Sequence, residues 1–358
     1  MLRMAQKSGP AFYVSWTAHY SYLTQIQPSR NIDVKNFKIR FIHLCIACLC
    51  LMSVEAWAGE NPLIKGQAPG YYRQQVGDLI VTALYDGYMD IPSTVLHGIP
   101  THDIEKLMSR MFVQDQHGVQ TAVNAFLVQT TDHLVLVDTG SSTCNGPAGG
   151  KVLENLRAAG FDRNDVSTVL LTHLHPDHAC GILTPQGTMA FPNATVWAAK
   201  KDADHWLSPA ALKAASERDK SLFTLVQNAV APYEAKGSFH AFIDGNQLPS
   251  DFHLLTTPGH TPGHSSYLVS SAKESVLIWG DLVHSHSVQM AHPEVSVDFD
   301  SNPSQAIDAR RRILKLASEK GWLVAGAHLP FPGLGHVRSE TMGYSWIPVE
   351  YSPVRTDR

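Results

Sequence analysis

The chain has 358 residues, enough for one large domain or two ordinary ones, and its 44% apolar and 17% charged residues describe a folded protein rather than a disordered one. A formal net charge of −4 offers no basic footprint for nucleic acid, so that class of partner is excluded. The 19 histidines point towards metal chemistry without locating it.

Residues 35–58 have the three-part order of a secretory signal. Lys35, Lys38 and Arg40 open it, Phe41 to Val54 form an apolar run, and Ala56-Trp57-Ala58 places small residues where a signal peptidase reads. The run is shorter than the roughly 20 apolar residues of a membrane-spanning helix. The expectation is a signal cleaved after Ala58, with a mature domain over residues 59–358 in the periplasm or outside the cell. The first 33 residues are an awkward leader for such a signal, which fits translation starting near Val34. The alternative is a buried N-terminal helix. Three of the five cysteines fall in this segment, leaving Cys144 and Cys180. Their spacing establishes no pairing, and two free, buried thiols are expected.

Further on, Asp78–Gly87 and Ala122–Thr130 alternate or run apolar as strands do, and His133–Gly140 is a short apolar run stopped by a turn. Lys151–Gly160 has helical spacing and ends on a glycine suited to a C-cap. Ser167–Thr172 reads as a buried strand. Ala194–Ala199 is another, and 200–237 then reads as a helical insertion of two helices, broken at Pro209 and after Asp219. Phe252–Thr257, Ser265–Ser270, Ser275–Asp281 and Trp322–His328 are further predicted strands. An amphipathic helix over Ser304–Gly321 takes Ser304 as its predicted N-cap. Sheets covered by helices follow from this order.

The stretch "VLLTHLHPDHACG" (Val169–Gly181) carries the chemistry. If the strand through Leu171 continues, His173 and His175 project from one face. Pro176 ends the extended course, and Asp177 and His178 sit in the turn, able to serve a second centre. Imidazole and carboxylate suit zinc, iron and manganese. The chain offers three more such groups just after strands: His260 in "TPGHTPGH", Asp281 in "IWGDLVH" and His328 in "AGAHLPFPG". Any one of them could be a satisfied core histidine or carboxylate; the ordered set of five histidines and two aspartates points to a metal site.

The pattern HxHxDH, a PGHTPGH-type histidine, GD and a late AH resembles the metallo-β-lactamase fold superfamily. That resemblance implies an α+β, αββα four-layer sandwich, here with the helical insertion, and a metal site at one edge. It assigns His173, His175 and His260 to one metal and Asp177, His178 and His328 to the other. Asp281 bridges the two together with a hydroxide, and Asp138 in "VDTG" orients the site from behind. Two zinc ions are the implied cofactors, with other divalent metals compatible. Longer stretches, among them "FPNATVWAAKKDADHWLS" and "AHLPFPGLGHVRSETMGYSWIPVEYSPV", are similar to methyl parathion hydrolase and its lactonase and aryl-esterase relatives, which are secreted or periplasmic di-zinc hydrolases.

A metal-bridging hydroxide attacking an ester, a lactone or an organophosphate triester is the implied reaction. An aspartate at 281, where β-lactamases carry cysteine or serine, argues against that activity. Trp206 and Phe223 match aromatic pocket positions of the relatives, with ordinary core packing as the plain alternative. Asn145, beside Cys144, and His284 stand where the relatives carry an aromatic and an apolar residue, which makes the pocket more polar and favours a lactone or ester over a phosphotriester. His264 and His336 are expected to be structural. Within the scaffold the alternatives are an acyl-homoserine lactonase, a thioesterase like glyoxalase II, or a β-lactamase. An iron-dependent oxidoreductase and a non-catalytic metal-binding module are the readings from other classes. A small-molecule substrate, no membrane in the mature form and compatibility with a homodimer complete the expectations.

Overall fold

The computed structural model describes residues 67–130 and 132–354. The signal segment predicted over residues 35–58 and its cleavage point lie outside the described residues.

The described strands, in chain order, are β1 (Tyr71–Val76), β2 (Leu79–Ile91), β3 (Leu96–His97), β4 (Val119–Gln129), β5 (Leu134–Val137), β6 (Thr168–Leu170), β7 (Thr195–Ala199), β8 (Phe239–Phe242), β9 (Phe252–Thr256), β10 (Ser265–Ser271), β11 (Glu274–Ile278), β12 (Ser296–Val297), β13 (Leu323–Ala325), β14 (Leu334–Ser339) and β15 (Tyr344–Pro348). One sheet runs β1-β2-β4-β5-β6-β7-β8 and the other β15-β14-β13-β11-β10-β9, with β3 and β12 paired apart. The helices are α1 (Thr101–Arg110), α2 (Val152–Ala158), α3 (Pro176–Ala179), α4 (Lys200–Trp206), α5 (Pro209–Ala214), α6 (Glu217–Lys236), α7 (His286–Gln289) and α8 (Pro303–Lys320).

Side-chain alternation along the strands builds the four layers. In β4, Phe126 and Val128 enter the core between the sheets, while Ala125 and Leu127 enter an outer core. Phe223, Val226, Val230 and Tyr233 of α6 bury one helical face in that outer core, beside Val152 and Leu156 of α2. The second sheet divides likewise: Val276 and Ile278 of β11 face the first sheet, and Leu277 meets Ala309, Ile313 and Ala317 of α8. The result is the αββα sandwich implied by the resemblance.

The helix ends correct two expectations. Asn302, not Ser304, caps α8: its side chain accepts from Gln305 N at 3.1 Å, and Pro303 takes the first helical position, where no N–H is needed. The insertion forms three helices, not two. Pro209 opens α5 rather than breaking a helix, and Asp219 lies in the first turn of α6, its N–H bonded to the cap Ser216 Oγ at 3.2 Å. Among the described residues, no helix is long and apolar enough to cross a membrane.

Strand direction places the functional loops. Strands β5, β6 and β7 run parallel, as do β11 and β13. The loops leaving their C-terminal ends carry Asp138, His173 to His178, Asp281 and His328.

Candidate metal centre

The segment after β6 turns from extended to helical within a few residues. Leu171 N still bonds Trp197 O at 2.8 Å, and His175 keeps extended backbone as the residue before α3, with Pro176 at the first helical position. His173 and His175 meet edge to face, ring centroids 4.6 Å apart. Pro176 thereby separates these two side chains from Asp177 and His178, which belong to the single turn of α3.

The other donors arrive from the second sheet. His260 lies in the loop between β9 and β10, Asp281 follows β11 and His328 follows β13. Gly280, at φ +61°, permits the turn that presents Asp281; a Cβ there would stand 2.6 Å from His264 Nε2. His264 is structural, as expected: its Nε2 accepts from Asp281 N at 2.9 Å, and its Nδ1 faces Thr257 O at 3.1 Å. Burial lowers its pKa to about 3, so the ring stays neutral and the acceptor persists. His336 is exposed, its Nδ1 3.1 Å from Trp322 O.

Two groups of donor atoms form, each lying within 4.8 Å: His173, His175, His260 and Asp281, and then Asp177, His178, Asp281 and His328. Asp281 is common to both. Its Oδ2 stands 3.2 Å from His260 Nε2 and 3.1 Å from His328 Nε2; its Oδ1 stands 3.0 Å from His178 Nε2.

The backs of the imidazoles are satisfied, which fixes which nitrogen faces inward. His178 Nδ1 donates to Asp138 Oδ2 at 2.9 Å, His260 Nδ1 to Asp300 Oδ1 at 3.0 Å and His328 Nδ1 to Ala122 O at 2.8 Å. His173 Nδ1 reaches Thr172 Oγ1 at 3.0 Å, and that hydroxyl bonds Asp138 in turn. Asp138 adopts φ +59° and also accepts from Thr172 N at 2.8 Å, so one carboxylate holds both the strand end and α3. Three of the inward atoms are not satisfied. His173 Nε2, His178 Nε2 and Asp281 Oδ1 are buried without a hydrogen-bond partner, a state that costs free energy unless a cation meets them. Burial opposes charge on His178 and His260, yet the carboxylates around them outweigh it and raise both, His260 to about 9. Burial prevails at His173 and His175, which are held well below the ordinary histidine value. Burial also works against the ionised carboxylates, but the surrounding histidines, His178 first, hold Asp177 and Asp281 below their ordinary values. The cluster therefore keeps its carboxylates ionised and attracts positive charge, and its residues fit a divalent metal site.

The pocket residues separate. Trp206 is buried and sets its ring edge to face against His175 at 5.1 Å. Phe223 packs on Trp206 at 4.6 Å and on His205 at 5.1 Å within the outer core, so it backs Trp206. His284 joins the cluster: its Nε2 lies 3.1 Å from Asp281 Oδ2, and its ring stacks on His328 at 5.1 Å. Asn145 directs its amide to Tyr88 O at 3.5 Å. The cysteines contradict their expectation. Cys144 and Cys180 form a disulfide, because the loop after Asp138 folds onto the loop after His178, with Gly181 N bonded to Gly140 O at 2.8 Å.

Sequence reasoning missed three supporting residues: Asp300, Asp202 and Arg310. Asp202, fully buried, bonds to backbone on both sides of the first donor group. Arg310, buried on α8, donates to Leu282 O at 2.5 Å and Val295 O at 2.7 Å and so holds the loop that carries Asp281 and His284. A buried charge on an otherwise amphipathic helix was the available signal for Arg310. Asp202, among the charges of "KKDADHW", carries no such signal.

The metallo-beta-lactamase superfamily model matches residues 118–328. Among curated proteins, the chain is similar to two N-acyl homoserine lactonases of Agrobacterium fabrum. AiiB is 38% identical over 79 residues, 17% of this chain and 29% of that protein, and AttM is 30% identical over 124 residues, 33% of this chain and 41% of that protein. The chain thus spans less than half the length of these two relatives. Solved structures match more fully. The hydrolase AbOPH of the beta lactamase superfamily is 38% identical with a TM-score of 0.77, covering 80% of this chain and 100% of that one. AidC, a dizinc quorum-quenching lactonase solved with the product N-hexanoyl-L-homoserine, is 28% identical with a TM-score of 0.72, covering 79% of this chain and 99% of that one.

Proposed function

The chain belongs to the metallo-beta-lactamase superfamily, and from that premise we propose a metal-dependent hydrolase with two zinc ions that opens lactones and cleaves esters, with organophosphate triesters as secondary substrates. The observation that carries the reading is Asp281, whose carboxylate is shared by both donor groups. His173, His175 and His260 would hold one ion, and Asp177, His178 and His328 the other, with Asp281 common to both donor groups. The similarity to AidC supports both the zinc pair and a lactone substrate.

When bound, the ions supply an activated water near neutral pH and a Lewis acid at the scissile carbonyl or phosphoryl group. The chain's own residues do the rest. Asp138, Asp300 and the Ala122 carbonyl fix the imidazole tautomers, so the nitrogens facing the ions carry no proton. Trp206 walls the His175 side against solvent. His284 sets a polar group beside Asp281, which favours a lactone or ester over an apolar aryl phosphotriester. Asn145 is a substrate-binding residue in this reading.

Zinc and iron counts on purified protein, with a hydrolysis screen over acyl-homoserine lactones, aryl esters, phosphotriesters and a cephalosporin, test the proposal. Two zinc ions per chain and strongest turnover of a lactone or aryl ester are expected. A single iron with no hydrolysis of any of the four overturns it.

The same reading makes residues 59–358 the mature hydrolase, exported to the periplasm or beyond, free of the membrane and acting on a small molecule. The Cys144–Cys180 disulfide supports it, since such bonds persist in oxidising compartments. Terminal sequencing of protein from its native host checks this: a mature terminus near Gly59 is expected, and an intact residue 1–58 segment overturns it.

A further inference from the structure

Asp202 on α4 is fully buried, belongs to neither donor group, and forms no ion pair with a basic side chain among the described residues. Its two oxygens take three hydrogen bonds instead. Oδ2 accepts from Leu174 N at 2.9 Å and from Thr261 Oγ1 at 3.0 Å, and Oδ1 accepts from Gly263 N at 2.5 Å. Leu174 lies between His173 and His175, and Thr261 directly follows His260. One carboxylate therefore ties together the two loops that supply three of the four donors of the first group.

The tie is tight and local. Gly263 has no room for a side chain: a Cβ would stand 2.5 Å from Asp202 N and 2.9 Å from Asp202 Oδ1. Four residues along the same helix, Trp206 rests its ring against His175. The second group has other supports, namely Asp138 behind His178 and Ala122 O behind His328, and Asp138 reaches into the first group through Thr172 and His173. His175 and His260 are the donors whose loops rest on Asp202.

Burying a carboxylate without a cation partner is costly, and burial raises this one to about 6. Two loops could be tied by a neutral acceptor at lower cost. A charged acceptor at this place adds negative potential next to a cation-binding cluster.

We propose that Asp202 is a positioning residue for one half of the metal centre: it sets the approach of His175 and His260, and with it the affinity of the ion they hold. The inference rests on the two-ion reading above, so its test must separate the two. Full-length protein is loaded with Co(II), the visible absorption of each ion is recorded, and the two affinities are resolved by competition with a chelator. The affinity that survives in His328→Ala belongs to the first group. Asp202→Asn keeps the size but sets an amide N–H against a backbone or hydroxyl donor. It is expected to weaken the first-group ion ten- to a hundredfold and to leave the other within twofold. Thr261→Val removes one of the three donors while keeping the carboxylate, and is expected to weaken the same ion by a smaller factor. It carries the test if Asp202→Asn does not fold. Unchanged affinities, or equal losses at both ions, overturn the positioning role. A wild-type protein that binds one ion overturns the two-ion reading instead, and Asp202 is then judged by whether Asp202→Asn weakens that ion.

Discussion

His284 Nε2 lies 3.1 Å from Asp281 Oδ2, on the same oxygen that His328 Nε2 reaches at 3.1 Å. The carboxylate common to both donor groups is thus flanked by a histidine that belongs to neither. His284 Nδ1 is itself buried without a partner.

The first consequence concerns Asp281. Asp281→Ala removes an acceptor from both groups at once, and is expected to lose at least one metal ion per chain and to lower activity by orders of magnitude. Metal analysis with steady-state kinetics checks it. A fully active variant with one ion removes the bridging role.

His284→Leu tests the polarity of the pocket. Replacing a buried imidazole by an apolar side chain should raise turnover of aryl phosphotriesters relative to lactones severalfold. If the ratio of the two activities does not move, His284 does not face the substrate, and the preference for lactones loses its basis.

Trp206 and Phe223 should behave differently, because one touches His175 and the other stands behind it. Trp206→Ala should lower kcat/KM for aromatic substrates about ten- to a hundredfold, chiefly through KM, with metal content unchanged. Phe223→Ala should instead cost stability, on the order of 3–5 kcal/mol for a ring lost from a core. Kinetics and chemical denaturation of the two variants distinguish the roles.

Asp202 gives a pH dependence. Its folded value of about 6 lies above the ordinary 3.8, so folding takes up a proton between these values. Its contribution to stability is fully present below about pH 4 and is lost as pH rises through about 6, by on the order of 3 kcal/mol. In metal-free protein, the stability of wild type relative to Asp202→Asn should therefore fall across that window and level off above it. A difference independent of pH refutes the assignment.

The disulfide closes a loop between residues 36 apart in sequence. Reduction, or Cys144→Ser, should lower the denaturation free energy by about 2–4 kcal/mol. Unfolding with and without a thiol reductant measures this.

What could be read in advance divides along physical lines. Strands whose residues alternate between two buried faces, such as those around Phe126 and Leu277, stand out because periodicity is local. The donor residues stand out because the ligand types are few and sit at strand ends. β1 (YYRQQV) and β8 (FHAF) did not: β1 is a polar edge strand, and β8 is a short edge strand whose partner β7 lies about 40 residues earlier. Asp300 and the Cys144–Cys180 pair were also hidden, since their partners His260 and Cys180 become neighbours only through tertiary folding. Phe223 shows the converse limit: helical spacing buries it, but cannot say whether the next ring or the substrate lies in front.

His328 Nδ1 donates to the Ala122 carbonyl of β4, and the donors begin at His173 and end at His328. A ribosome must therefore release most of the chain before the last ligand can reach its anchor. A product that stops short of His328 has no complete pair of sites, so the second donor group closes only after the first. Under the export proposed above, with the chain crossing its membrane unfolded, loading would belong to the destination, and the metal available there would govern how much protein becomes active.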